Sequence, residues 1–245
     1  MSIKNFILKI DKECTRLLKK KIIVNENSFT AVFTIKIYEK LYKHYNTYAF
    51  VLEQKHEKRL GCDAIIIIKK NNCFCLGFWE AKRLRKSWDK FEKKNGISHF
   101  TKQIRIQDRN KGFCFWEMFY NDKIKFKKFK DDCSFCVWKK DMLSINDSIF
   151  LNKSCWNDKY LLDLEKLGKG KNIKQILQEL TINCCKNIDN KQNDSKNNEF
   201  SFKQGDKIFK VPFYNFEIKN NKQIKCFLDE YGLTSYIFID LDTLN

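Results

Sequence analysis

No stretch of this chain is long and apolar enough to cross a bilayer, which takes about 20 consecutive apolar residues. The opening run, Met1-Ser2-Ile3-Lys4-Asn5-Phe6-Ile7-Leu8-Lys9, is too short and too broken by lysine to act as a secretory leader. No internal repeat is visible, which excludes a solenoid or propeller. Proline is nearly missing, with Pro212 the single copy, and acidic residues are the minority charge. These absences lead us to expect a soluble, cytoplasmic protein with no membrane partner.

Charge of one sign is abundant. Lys and Arg number 48 against 30 Asp and Glu, giving a formal charge of +18 and a pI near 9.4. A basic balance favours polyanions, because neutralising phosphates releases condensed counterions. A composition rich in lysine, asparagine, isoleucine and phenylalanine accounts for part of the excess. Charge alone does not separate DNA from RNA or from an anionic membrane surface. With 22 phenylalanines there is ample apolar mass for a sizeable core. The cysteine count, 11, is odd. Cys73-x-Cys75 and Cys133-x-x-Cys136 have the spacing of a four-thiolate zinc site. The first pair sits in a hydrophobic run, where cysteine behaves as a small apolar residue, so reduced, structural thiols are the better reading.

The most informative segment runs from Gly61 to Arg85. Gly61-Cys62-Asp63-Ala64 leads into four isoleucines, a polar turn over residues 69–72, and a second apolar run ending Gly77-Phe78-Trp79-Glu80-Ala81-Lys82-Arg83. The pattern predicts two adjacent buried strands. Strand side chains alternate faces, so Glu80 and Lys82 point the same way. Carboxylates and an ammonium buried among such neighbours cost several kcal/mol unless they meet each other or a metal. Two carboxylates offer hard oxygen ligands for Mg²⁺, which lowers the pKa of bound water and offsets charge on a phosphodiester. A lysine beside them can orient or deprotonate that water. The blander reading is a strand-surface ion pair between Glu80 and Lys82, with Asp63 capping a turn.

This constellation resembles the PD-(D/E)xK nuclease superfamily, whose fold is restriction-endonuclease-like. An Asp opens one strand and Glu-x-Lys follows on the next, here Asp63, then Glu80-Ala81-Lys82; Cys62 stands where the motif's proline would be. The resemblance covers roughly residues 26–138. It implies Mg²⁺, with Mn²⁺ as a substitute, held by Asp63 and Glu80, and Lys82 acting on the water. It further implies a deoxyribonuclease, compatible with a homodimer. A carboxylate on the first helix often joins such sites. Glu26 is the preferred candidate, although an acidic residue in a first turn also complements the helix dipole; Glu39 is the other. A glutamine on the helix after the catalytic strand is a second recurring feature, which points to Gln103 over Gln107, with His99 one turn earlier.

The rest of the chain supplies the frame. Helices are expected over residues 3–23 and 25–45, the latter capped by Asn27 or Ser28. A strand follows at 48–52, an amphipathic segment at 88–109, and strands at 113–120 and 134–139. The expected class is α/β, a mixed central sheet of four to five strands flanked by helices, occupying residues 1–150. Residues 151–245 form a C-terminal α+β extension or subdomain. It contains a helix at 172–182, a mobile polar loop at 186–198, a hairpin at 200–216, a helix at 222–231 and a strand at 235–240. Whether these complete the same sheet is open. Arg83, Arg85 and Lys86 would lead along a nucleic-acid backbone. Lys125 and Lys127, in the lysine–aromatic segment 123–130, suit either a stacking groove or a protected strand edge. The alternatives to a nuclease are a catalytically silent nucleic-acid-binding protein of the same fold, and a basic interaction module for proteins or membranes.

Overall fold

The computed structural model describes residues 2–52, 59–71, 73–84, 88–93, 96–110, 112–121, 126, 132–151, 155–183, 193–194, 198–204, 207–214, 216 and 219–242. Arg85, Lys86, Lys125, Lys127 and most of the polar tract 186–198 lie outside the described residues. The chain begins with helices α1 (Ile3–Lys19) and α2 (Glu26–Leu41). Strands β1 (Asn46–Val51), β2 (Ala64–Lys70) and β3 (Cys73–Arg83) follow. A small hairpin of β4 (Phe91–Glu92) and β5 (Ile97–Ser98) precedes α3 (His99–Arg109), β6 (Cys114–Tyr120) and β7 (Phe135–Trp138). Then come α4 (Lys139–Leu151), α5 (Asp158–Lys166), α6 (Ile173–Asn183) and β8 (Asn193–Asp194). Last are β9 (Glu199–Gln204), β10 (Lys207–Pro212), α7 (Asn221–Tyr231) and β11 (Ser235–Asp240).

Six strands form one mixed sheet in the order β1-β11-β2-β3-β6-β7. β2 and β3 pair antiparallel and β3 and β6 parallel, while β11 runs parallel to β2 and antiparallel to β1. The fold is therefore α/β, as the pattern of elements required, with one more sheet strand than the sequence suggested. The extra strand comes from the C-terminal part. Ile237, Phe238 and Ile239 are buried on both faces, and an uninterrupted apolar strand fits only inside a sheet covered on both sides. On one face α1, α2 and α6 pack over Ala64, Ile66, Ile68, Trp79, Ala81, Trp116 and Met118. On the other, α7 and β10 cover Ile65, Ile67, Phe78 and Phe115. Side chains of α3, α4 and α5 cover Phe119, Phe135 and Val137 on that same side.

Three expectations change. The cap of α2 is Asn25, whose side chain accepts from Ser28 N–H at 2.8 Å, because an extended residue before the helix can reach forward as Asn27 and Ser28 inside it cannot. The described residues among 88–98 are not helical. Gly96 adopts a left-handed φ of +66°, and Ser98 caps α3 by accepting from Thr101 N–H. Asp89, 6% exposed, accepts from the N–H groups of Lys90, Phe100 and Trp156, fixing the start of α3. Helices α4 and α5 had no counterpart in the sequence reading.

The two cysteine pairs are far apart. Cys136 on β7 is level with Met118, hence with Ala81, eight residues up β3 from Cys73, or about 26 Å at strand spacing. Burial pushes the Cys136 thiol well above its usual pKa.

Candidate active site

The site grows from the end of β3. Glu80 and Lys82 project from the α3 face, and Lys82 Nζ donates to Glu80 Oε1 at 2.5 Å. Glu80 is 0% exposed and Lys82 8%, so this is a buried pair and not the surface pair of the blander reading. Gln103, from the first turns of α3, donates its Nε2 to the same Glu80 oxygen at 2.8 Å. Phe100 lies one turn earlier, its ring centroid 5.8 Å from Lys82 Nζ, so the ammonium rests on an aromatic face. Glu80, Lys82 and Gln103 are thus brought together by side-chain contact.

Asp63 joins them from β2's side. The β2–β3 register ends at Ala64↔Trp79, and Asp63, just before β2, donates its N–H to Trp79 O at 2.8 Å. Its Oδ2 accepts from Ala81 N–H at 2.7 Å, so the carboxylate binds the backbone of the residue between Glu80 and Lys82. Asp63 is held from two further directions. Thr234, at the entry to β11, reaches the Asp63 carbonyl with its N–H at 2.7 Å and its hydroxyl at 3.1 Å. Gln107, one turn past Gln103, donates to Gly61 O at 2.7 Å. Gly61 has φ +67°, and a Cβ there would lie 2.7 Å from the Gln103 carbonyl, so only glycine permits this approach of the loop to α3. Gln103 and Gln107 consequently tie Glu80 and the Asp63 loop to one helix.

Glu26 is the first residue of α2, at the same end of the sheet. Its carbonyl accepts from Thr30 Oγ1 at 3.0 Å, and Thr30 shares a 2.7 Å hydrogen bond with the Tyr120 hydroxyl. Burial pushes the Tyr120 phenol well above its usual pKa, the hydrogen bond with Thr30 opposes this, and the charge of Asp63 adds to the rise. Tyr120 also stacks on Phe29 with centroids 3.6 Å apart. Arg83, proposed for a nucleic-acid backbone, donates through Nη1 to the Val24 carbonyl just before α2. His99 contacts Glu92 Oε1 at 2.8 Å, and Glu39 is exposed on α2.

The sequence reading left Gln107 as a flanking polar residue and passed over Thr234, Tyr120 and Glu117. Only Glu117 carried a readable signal, a lone charge in the apolar strand Cys114–Tyr120.

Among the described residues no three Asp, Glu, His or Cys side chains gather as a ready-made ion cage. The donor set nevertheless suits Mg²⁺, which keeps several waters and takes one or two carboxylates. Gln103 Oε1 is buried with no hydrogen-bond partner among the described residues, an oxygen still available to a cation. Fold and site together define an α/β protein with a buried Glu–Lys–Gln cluster beside an aspartate at the mouth of a neighbouring strand. No protein-family model matches the chain, and no curated protein or solved structure matches it significantly.

Proposed function

We propose that this chain is a divalent-metal-dependent nuclease of the PD-(D/E)xK type with a restriction-endonuclease-like core, hydrolysing phosphodiester bonds in DNA. The observation that carries this is the burial of Glu80 and Lys82 in mutual contact at the end of a strand, with Asp63 bound to the intervening Ala81. A structural ion pair would be expected at the surface, since burying both charges gains little stability. Asp63 and Glu80 would hold Mg²⁺, which supplies an activated water and neutralises charge on the phosphate. Lys82, on Glu80 and against Phe100, is placed to orient that water or take its proton. Gln103 holds the Glu80 carboxylate, while Gln107 and Thr234 hold the Asp63 loop. DNA as substrate follows from the family resemblance, supported by the charge of +18.

The direct hydrogen bonds of Lys82 and Gln103 to Glu80 also suit a protein that binds nucleic acid without cutting it. Incubating the purified chain with plasmid, linear and single-stranded DNA, in Mg²⁺, Mn²⁺ or EDTA, separates the two. Metal-dependent cleavage supports the nuclease. Binding that is unchanged by EDTA, with no cleavage in either metal, supports the silent alternative.

A further inference from the structure

We infer that Glu117 forms, with Glu80 and the amide oxygen of Gln103, a position for a divalent cation on the α3 face of the sheet. The inference rests on the proposed function in taking Glu80 as a metal ligand; it adds a residue and a position that the motif does not contain.

β6 reads Cys-Phe-Trp-Glu-Met-Phe-Tyr, and Glu117 is its one charged residue. It is 0% exposed, as is Glu80. In the parallel pairing of β3 with β6, Glu80 stands beside Glu117, between the pairs Phe78↔Phe115 and Lys82↔Phe119. Neighbouring strands in register present side chains to the same face about 4.8 Å apart. The core confirms the parity: Phe78 and Phe115 pack together on one side, Ala81 and Met118 on the other. Two carboxylates therefore project to the same face under α3 from adjacent strands, with the Lys82 ammonium on Glu80 Oε1.

Gln103 supplies the second observation. It is 5% exposed, and its Nε2 is on Glu80 Oε1. The Oε1 of the same amide is buried with no hydrogen-bond partner among the described residues. Gln107 Oε1, one turn further along, is in the same condition. Two carboxylates and an amide oxygen with no donor to satisfy it make a hard, acceptor-rich set, the chemistry of Mg²⁺ or Mn²⁺. Glu80 would then be shared between this position and the one with Asp63. A proton shared by Glu80 and Glu117 is the competing occupant.

Counting bound Mn²⁺ by electron paramagnetic resonance on the full chain tests this. Wild type, Glu117→Gln and Asp63→Asn are titrated at neutral pH, with circular-dichroism melts to establish folding. Glu117→Gln is isosteric, and Gln103→Met, which keeps length and removes the carbonyl oxygen, is the second probe. The expected result is one fewer bound Mn²⁺ in Glu117→Gln, or affinity weakened at least about tenfold, with a smaller loss in Gln103→Met. Asp63→Asn should retain the ion that Glu117→Gln loses. Wild-type Mn²⁺ binding in Glu117→Gln overturns the inference and points to the shared proton, leaving the Asp63–Glu80 reading intact. No bound Mn²⁺ in the wild type overturns both.

Discussion

Lys82 and Asp63 stand on opposite sides of the same division of labour. Lys82 contacts Glu80 and, in the proposed function, would act on the water, whereas Asp63, fixed by Ala81 N–H and Thr234, would supply an oxygen to the metal. Lys82→Ala should abolish cleavage while keeping most of the Mg²⁺-induced rise in melting temperature; Asp63→Asn should lose cleavage and the part of that rise that depends on the ion at Asp63. A second expectation concerns Gly61. With φ +67° and a Cβ position 2.7 Å from the Gln103 carbonyl, Gly61→Ala should cost about 1–3 kcal/mol, read by urea unfolding. It should also lower the apparent Mg²⁺ affinity, because the loop carrying Asp63 must move. The Glu80–Lys82 contact at the end of β3 was legible in the sequence because two charges two residues apart in an apolar strand share a face. Thr234 and Gln107 were not, since their partners are backbone carbonyls distant in sequence, and a carbonyl leaves no mark on composition.

At the scale of elements, α3 and β11 do the positioning. α3 carries Gln103 and Gln107 on one stripe, and Asp89 fixes its start. The sequence ran a helical pattern back to Trp88 because aromatic residues recur at helical spacing through a hairpin whose turn depends on Gly96. α6 is tied to the sheet edge by Glu179, which accepts from Lys171 Nζ at 2.7 Å and Trp138 Nε1 at 2.6 Å. Burial alone would raise the Glu179 pKa, but these hydrogen bonds and the Lys171 charge outweigh it and hold the carboxyl below its usual value. A carboxyl lowered in the folded state adds stability that is present at neutral pH. That stability is lost as pH falls below the ordinary glutamate value of about 4.3. Glu179→Gln should therefore reduce the melting temperature at pH 7, with the difference from wild type shrinking toward pH 3. A difference that does not change with pH would assign the effect to packing.

The whole molecule is organised around a sheet whose third and fourth strands carry the motif and whose second strand arrives from the far end of the chain. β11 separates β1 from β2, so the C-terminal part is built into the core and also contributes the Thr234 contact. The sequence left this open because the strand at 235–240 is equally apolar whether it joins the main sheet or a subdomain. A chain ending at residue 219 should accordingly lose cooperative melting, since β1 would be left without its partner and Ile65 and Ile67 without the cover of α7. Retention of a sharp transition would show that the first 219 residues fold alone.

The central claim, that Asp63, Glu80 and Lys82 hydrolyse a phosphodiester with a divalent metal, is tested most directly by single-turnover cleavage of supercoiled plasmid. Wild type, Asp63→Asn and Lys82→Ala, each shown to be folded, are compared in Mg²⁺ and in EDTA. The expected result is nicking or linearisation by the wild type in Mg²⁺ alone, with both variants slower by at least about a hundredfold. Undiminished cleavage by Asp63→Asn, or cleavage by the wild type that persists in EDTA, would contradict it.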